Sequence, residues 1–68
     1  MTLAVETEQE ADGRWIAEIA QIPGALAYGA DRQEAISRVQ ALALRVLADR
    51  LEHGEMPVEL DEVFSVAV

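Results

Sequence analysis

The chain has 68 residues and a net charge of −8, from 13 acidic and 5 basic side chains, with no cysteine and one histidine. Its length predicts a single domain over residues 1–68, whose small core stabilises the fold only marginally. Disulfides are excluded and a structural zinc site is disfavoured, so self-association is the expected source of additional stability. The acidic balance opposes phosphate contacts and argues against nucleic-acid binding by the chain alone. It favours a basic partner, or it merely keeps a small protein soluble.

No stretch of the sequence approaches the ~20 apolar residues of a membrane span. The opening residues MTLAVETEQE lack the basic start of a signal peptide. We therefore expect a cytoplasmic protein.

Two segments near the start have the alternation of half-buried strands. Residues 2–8 (TLAVETE) and 14–20 (RWIAEIA) each alternate apolar and polar side chains. Asp12-Gly13 between them is a strong signal for a hairpin turn. The faces expected to point toward the core carry Leu3, Val5, Thr7, Trp15, Ala17 and Ile19.

A turn at Pro23-Gly24 then leads into a short third strand at residues 25–29 (ALAYG). The side chains on its two faces differ in size, because the small Ala25 and Ala27 alternate with the large Leu26 and Tyr28. The small face is expected to allow a helix to approach closely.

A helix is predicted from Arg32 to about His53. Asp31 suits the N-cap, Glu34 is placed to complete a capping box, and Gly54 is expected to end the helix in a left-handed conformation. The predicted apolar stripe carries Ile36, Val39, Ala43, Val46 and Leu47, flanked by Ala35, Leu42, Leu44 and Leu51.

The tail closes on alternating residues at 64–68, which predict a final strand. The element order is therefore β-β-β-α-β, an α+β fold. One helix covers only one face of such a sheet. Ile16, Leu26 and Tyr28 fall on the other face, and we expect them to be buried between chains in a homodimer or a dimer of dimers.

The sequence offers little for catalysis, cofactor binding or metal binding. Neither Ser37 nor Ser65 lies in a nucleophile-elbow pattern. His53, in the last helical turn, is explained by a favourable interaction with the helix dipole. The carboxylates lie in or beside turns and loops, where a solvated surface is the simpler interpretation. We expect no enzyme activity, no cofactor and no metal site.

Short motifs in the right order give the chain a family resemblance. Gly13-x-Trp15, Pro23-Gly24 and Gly29-x-Asp31-x-x-Glu34-Ala35 resemble the HicB family over about residues 2–55. HicB proteins are antitoxins of type II toxin–antitoxin systems, and their N-terminal domain has a reduced RNase H-like fold. The resemblance implies an antiparallel three-stranded meander with the helix on one face. The last strand would then lie parallel to strand 1, after a right-handed crossover.

The chain departs from the family pattern both at single residues and in length. HicB-like chains often have proline where Ala20 stands, and threonine or serine where Asp31 stands. Full HicB antitoxins continue into a DNA-binding domain, so this chain resembles a stand-alone domain without that function. RNase H activity is not expected either, because Glu6 is the only carboxylate near a plausible remnant position and two metal ions need several.

The resemblance implies binding to a small basic HicA-like toxin that cleaves mRNA. An acidic protein can cover the RNA-binding surface of such a partner. The alternative is a structural or regulatory homo-oligomer without a toxin, and a third hypothesis is a divergent nuclease that binds metal. The candidate partner contacts, assigned by charge, are Glu6, Glu8, Glu10, Asp12, Glu59, Asp61 and Glu62.

Overall fold

A computed structural model describes residues 3–55 as a three-stranded sheet with one helix packed on it. The predicted α+β class and the order of the first four elements are confirmed. The fifth element, predicted at residues 64–68, lies outside the described residues. The elements are β1 (Val5–Gln9), β2 (Trp15–Ile19), β3 (Leu26–Gly29) and α1 (Arg32–Glu52).

The three strands form the predicted antiparallel meander, in the order β1-β2-β3. Gln9 lies opposite Trp15 at one end of the first pair, and Val5 lies opposite Ile19 at the other. The hairpin turns where Asp12-Gly13 predicted it. The Gly13 N–H donates to the Glu10 carbonyl at 3.0 Å, and Gly13 has a φ of 93°, which favours glycine.

Two successive turns join β2 to β3. The Ile22 N–H donates to the Ile19 carbonyl at 3.1 Å, and the Ala25 N–H donates to the Ile22 carbonyl at 3.0 Å. The second turn has Pro23 and Gly24 at its centre, with a φ of 86° at the glycine. Because each turn closes over three residues, Ile19, Ile22 and Ala25 all point inward and are buried.

The core lies between the helix and one face of the sheet, which is the face predicted to point toward the core. Ala17 and Ile19 are buried there, with Trp15 and Val5 packed against them as partly buried side chains. The buried stripe of the helix consists of Ala35, Val39, Ala43 and Leu47. This differs from the predicted stripe, because Ala35, predicted on its flank, is fully buried while Ile36 and Val46 are only partly buried.

The junction between β3 and α1 accounts for the Gly29-x-Asp31-x-x-Glu34-Ala35 motif. A Cβ on Gly29 would collide with the backbone nitrogen of Ala35, so only glycine allows this close approach. Asp31 is the N-cap and accepts from the Glu34 N–H at 2.7 Å, as predicted. The Glu34 carboxylate reaches back one residue further than a capping box requires, to the Ala30 N–H at 3.0 Å.

The helix ends at the predicted glycine. Gly54 has a φ of 76°, its N–H donates to the Leu51 carbonyl, and the Glu55 N–H donates to the Arg50 carbonyl. This pair of bonds is a Schellman motif. The Nδ1 of His53 lies 2.7 Å from the Asp49 carbonyl oxygen, which places the imidazole on the last helical turn as expected.

The helix is longer than the sheet that it covers. Its 21 residues span about 31 Å, whereas a five-residue strand spans about 17 Å. It starts at the end of β3 and runs back over the sheet, so that Ala43 and Leu44 lie beside Leu3 and Val5 at the start of β1. Leu44 is 61% exposed and Leu51 is 36% exposed, so the described sheet covers neither.

Candidate partner-binding surface

The sheet face away from the helix, which we call the open face, carries the side chains that alternate with the core residues. Ile16 lies opposite Tyr28, and Glu18 lies opposite Leu26. Leu26 is 39% exposed and Tyr28 is 41% exposed, while Ile16 between the outer strands is half-buried. These three apolar residues, the apolar half of the open face, lie where the alternation predicted them. Whether a second chain covers them remains a prediction.

The other side chains that β1 and β2 present on the open face are acidic. These residues, which we call the acidic half, are Glu6 and Glu8 of β1 and Glu18 of β2. Glu6 lies directly opposite Glu18 in the register, and like charges in such a pair oppose each other. A shallow depression of about 200 Å³ is lined by Glu6, Thr7, Glu8, Ile16 and Glu18. The acidic half is thus a carboxylate-rich patch beside an apolar one.

Arg14 bridges the hairpin and the apolar half. Its Nε donates to the Asp12 carboxylate at 2.8 Å, and its guanidinium lies 4.9 Å from the centre of the Tyr28 ring. The Asp12 carboxylate also accepts from the Arg14 N–H at 3.0 Å. This backbone bond, followed by the side-chain bond, lowers the pKa of Asp12 below its ordinary value. The sequence pattern did not predict the cation–π contact, because it depends on the register between β2 and β3.

The predicted acidic contact residues do not all share one surface. Glu6 and Glu8 lie together on the open face, whereas Glu10 lies at the hairpin and the Asp12 carboxylate already binds Arg14. Glu18 belongs with Glu6 and Glu8, although the prediction omitted it. The period of two that placed Ile16 on this face would have identified Glu18 as well. The predicted contacts Glu59, Asp61 and Glu62 lie outside the described residues.

The described residues offer no sign of a metal centre. Between residues 3 and 55, no group of three or more histidine, aspartate or glutamate side chains is arranged to hold a metal ion. Every buried side chain in that range is apolar. Among the same residues, no helix combines the length and apolar character needed to cross a membrane.

No family model matches the chain, and neither a curated protein nor a solved structure shows significant similarity to it. Function must therefore be inferred from the geometry of the open face and from the short motifs.

Proposed function

We propose that the protein is a cytoplasmic HicB-like antitoxin, or a stand-alone relative, that acts by binding another protein and has no enzyme activity. The proposed partner is a small basic HicA-like toxin that cleaves mRNA. The observation that carries the proposal is the open face, where Glu6, Glu8 and Glu18 adjoin an exposed apolar half.

The physical basis is charge complementarity. A ribonuclease binds RNA through cations that contact phosphates. A patch of carboxylates can occupy the same cations, speed the encounter and orient the partner. The opposed Glu6 and Glu18 carboxylates repel each other in the isolated chain, and a partner cation between them would relieve that repulsion. The neighbouring Ile16, Leu26 and Tyr28 would supply apolar contact area.

Affinity purification followed by an inhibition assay tests this function. The tagged protein should capture a small basic protein from native lysate. That protein, when purified alone, should cleave mRNA, and one equivalent of this chain should block the cleavage. Glu6→Lys/Glu18→Lys should lose the inhibition. A matched control, Glu52→Lys/Glu55→Lys, makes the same charge change on exposed residues at the C-terminal end of α1, which packs on the other face of the sheet, and should retain it. A captured protein without ribonuclease activity, or equal inhibition by both variants, would contradict the proposal.

The fold proposed for this function includes a last strand parallel to β1. Two features support it. β1 lies at one edge of the described sheet, and an apolar groove of about 300 Å³ opens beside it, lined by Leu3, Val5, Ile19, Gln40, Ala43 and Leu44. The helix runs back to the start of β1, so a chain returning from it would enter the sheet parallel to that strand. Nuclear Overhauser contacts between residues 64–68 and β1 would test this arrangement, and contacts with β3 instead would refute it.

The second candidate function is a structural or regulatory homo-oligomer without a toxin, assembled as a dimer or a dimer of dimers. The exposure of Leu26 and Tyr28 favours it, since they form an apolar patch with Ile16 on a small acidic protein. In this candidate the three residues are buried between chains. Light scattering at micromolar concentration separates it from a monomer.

A further inference from the structure

We infer that β3 pairs with β3 of a second copy, edge to edge and antiparallel, so that two sheets join into one. The inference rests on the proposed self-association, and it assigns the contact to the backbone of the strand edge as well as to exposed side chains. β3 forms one edge of the described sheet.

The backbone geometry identifies the groups that would pair. The Ala25 carbonyl accepts from the Ile19 N–H at 3.0 Å, so the backbone of Ala25 faces β2. Because this direction alternates along a strand, Ala27 and Gly29 also face β2, whereas Leu26 and Tyr28 face outward. A contact from the helix agrees with this. The Arg38 Nη1 donates to the Tyr28 carbonyl at 3.0 Å, from outside the sheet.

The edge has little of the protection that isolated strands usually carry. Exposed edges are commonly blocked by charged side chains, proline or a bulge. The four residues of β3, Leu-Ala-Tyr-Gly, contain neither a charge nor a proline. Arg38 occupies one carbonyl, while the outward N–H groups of Leu26 and Tyr28 point away from β2. Such an edge is a template for another strand.

A two-fold arrangement pairs the outward groups in one register, in which the Tyr28 carbonyl uses its two lone pairs to accept from Arg38 and from Leu26 of the second copy. Leu26 lies opposite Tyr28 of the second copy, and Ala27 lies opposite Ala27 at the axis. The exposed Leu26 and Tyr28 side chains of both copies then form one patch on the joined open face. On the helix side, a groove of about 430 Å³ meets its counterpart across the axis. It is lined by Ala27, Ser37, Arg38, Ala41, Leu42 and Arg45.

Charge favours a second copy at this edge over any other part of the described surface. The acidic half lies toward β1, away from the axis. The helix flank at β3 instead carries Glu34, whose carboxylate lies 3.3 Å from Arg38 of the same chain, and Arg45 further along beside the groove. The two-fold runs the helices of the two copies in opposite directions, which brings the Glu34 end of each toward the Arg45 end of the other. Two acidic proteins therefore meet at flanks where each copy contributes Arg38 and Arg45 as well as Glu34, rather than at their acidic halves.

Amide hydrogen exchange, followed by NMR on the full chain from low to high micromolar concentration, tests the pairing. The Leu26 and Tyr28 N–H groups should exchange about tenfold more slowly as the dimer forms, because pairing removes them from water. The inward-facing Ala27 N–H is the internal control and should change less. If the chain stays monomeric at every concentration, both this inference and the proposed self-association are refuted. A dimer whose edge amides exchange at the monomer rate overturns only the edge pairing.

Two variants at one position separate the contribution of the backbone N–H to dimerisation from that of the side chain. Leu26→Ala and Leu26→Pro both remove the leucine side chain, but only proline removes the outward N–H, a substitution that edge strands tolerate. The proline variant should weaken dimerisation by at least about fivefold more than the alanine variant, because each copy of the symmetric pair loses one hydrogen bond, two in all. Equal weakening by the two variants would contradict edge pairing. If the proline variant fails to fold, the exchange measurement on the wild-type chain still decides.

Discussion

Gly29 lies so close to Ala35 that the first turn of the helix rests directly on the end of β3. Gly29→Ala would push a methyl group into the Ala35 backbone, which cannot move aside as a side-chain tip can. We expect a loss of about 1–3 kcal/mol in the free energy of unfolding, as for other overpacked sites, measured by urea denaturation. Ala30→Ser, at the exposed next residue, is the control and should change stability by less than about 0.5 kcal/mol. Equal stability of Gly29→Ala and wild type would show that the junction has room.

The N-cap provides a second stability test. Asp31→Ala removes the acceptor of the Glu34 N–H and should cost about 1 kcal/mol. Asp31→Asn keeps an oxygen at the same place, and it should retain most of the lost stability in urea denaturation. If the two variants were equally destabilised, the charge of Asp31 rather than its hydrogen bond would be responsible.

The pKa of Asp12 can be followed by NMR titration of its carboxyl group. We expect a midpoint below the ordinary value of 3.8, because the Arg14 N–H and then its side chain stabilise the carboxylate. A folded-state pKa below the unfolded one contributes stability above the ordinary pKa, and that contribution is lost as the pH falls through the folded pKa. Arg14→Met should raise the midpoint only part of the way, since the backbone bond remains. A wild-type midpoint at or above 3.8 would contradict the contact.

Self-association can be located on the sheet through one side chain. Light scattering on micromolar protein should give a mass above that of one chain. Tyr28→Glu should give the monomer mass, because it places a charge in the patch with Leu26 and Ile16. Tyr28→Phe keeps the ring and should associate like wild type. A monomeric wild-type chain would refute association, whereas an oligomeric Tyr28→Glu would refute only the choice of surface.

Nucleic acid should not bind to the isolated protein. Its net charge of −8 opposes the phosphate contacts that dominate such binding. Fluorescence anisotropy with labelled duplex and single-stranded oligonucleotides at low salt should show no saturable binding. Saturation at micromolar protein would show that the arginines outweigh the carboxylates locally.

The fold of residues 3–55 was largely predictable, because its signals are local. Asp12-Gly13, Pro23-Gly24, Asp31 and Gly54 each mark a turn or a helix end through their own backbone chemistry, and the structure places a boundary at each. The period of two likewise identified the buried face of β2. The prediction placed Ile36 in the helix stripe and Ala35 on its flank, because the larger apolar side chain was expected to be the more buried. In the structure Ala35 packs closely against Gly29 at the end of β3 and is fully buried.

The candidate surface was less predictable, because it depends on which strands lie side by side. Grouping carboxylates by position in the chain joined Asp12 to Glu6 and Glu8, although its carboxylate is held by Arg14. The same grouping omitted Glu18, which the register sets opposite Glu6. Pairing across strands is not encoded in any one segment, so it became visible only in the folded sheet.

The spacing of the buried helix residues has a geometric consequence. Ala35, Val39, Ala43 and Leu47 follow one another at intervals of four, whereas the helix repeats every 3.6 residues. Each step therefore rotates the buried side by about 40°, or about 120° in total. The helix follows a diagonal, from β3 at Ala35 toward β1 at Ala43. By packing across the sheet, the helix links the two outer strands, which make no contact with each other.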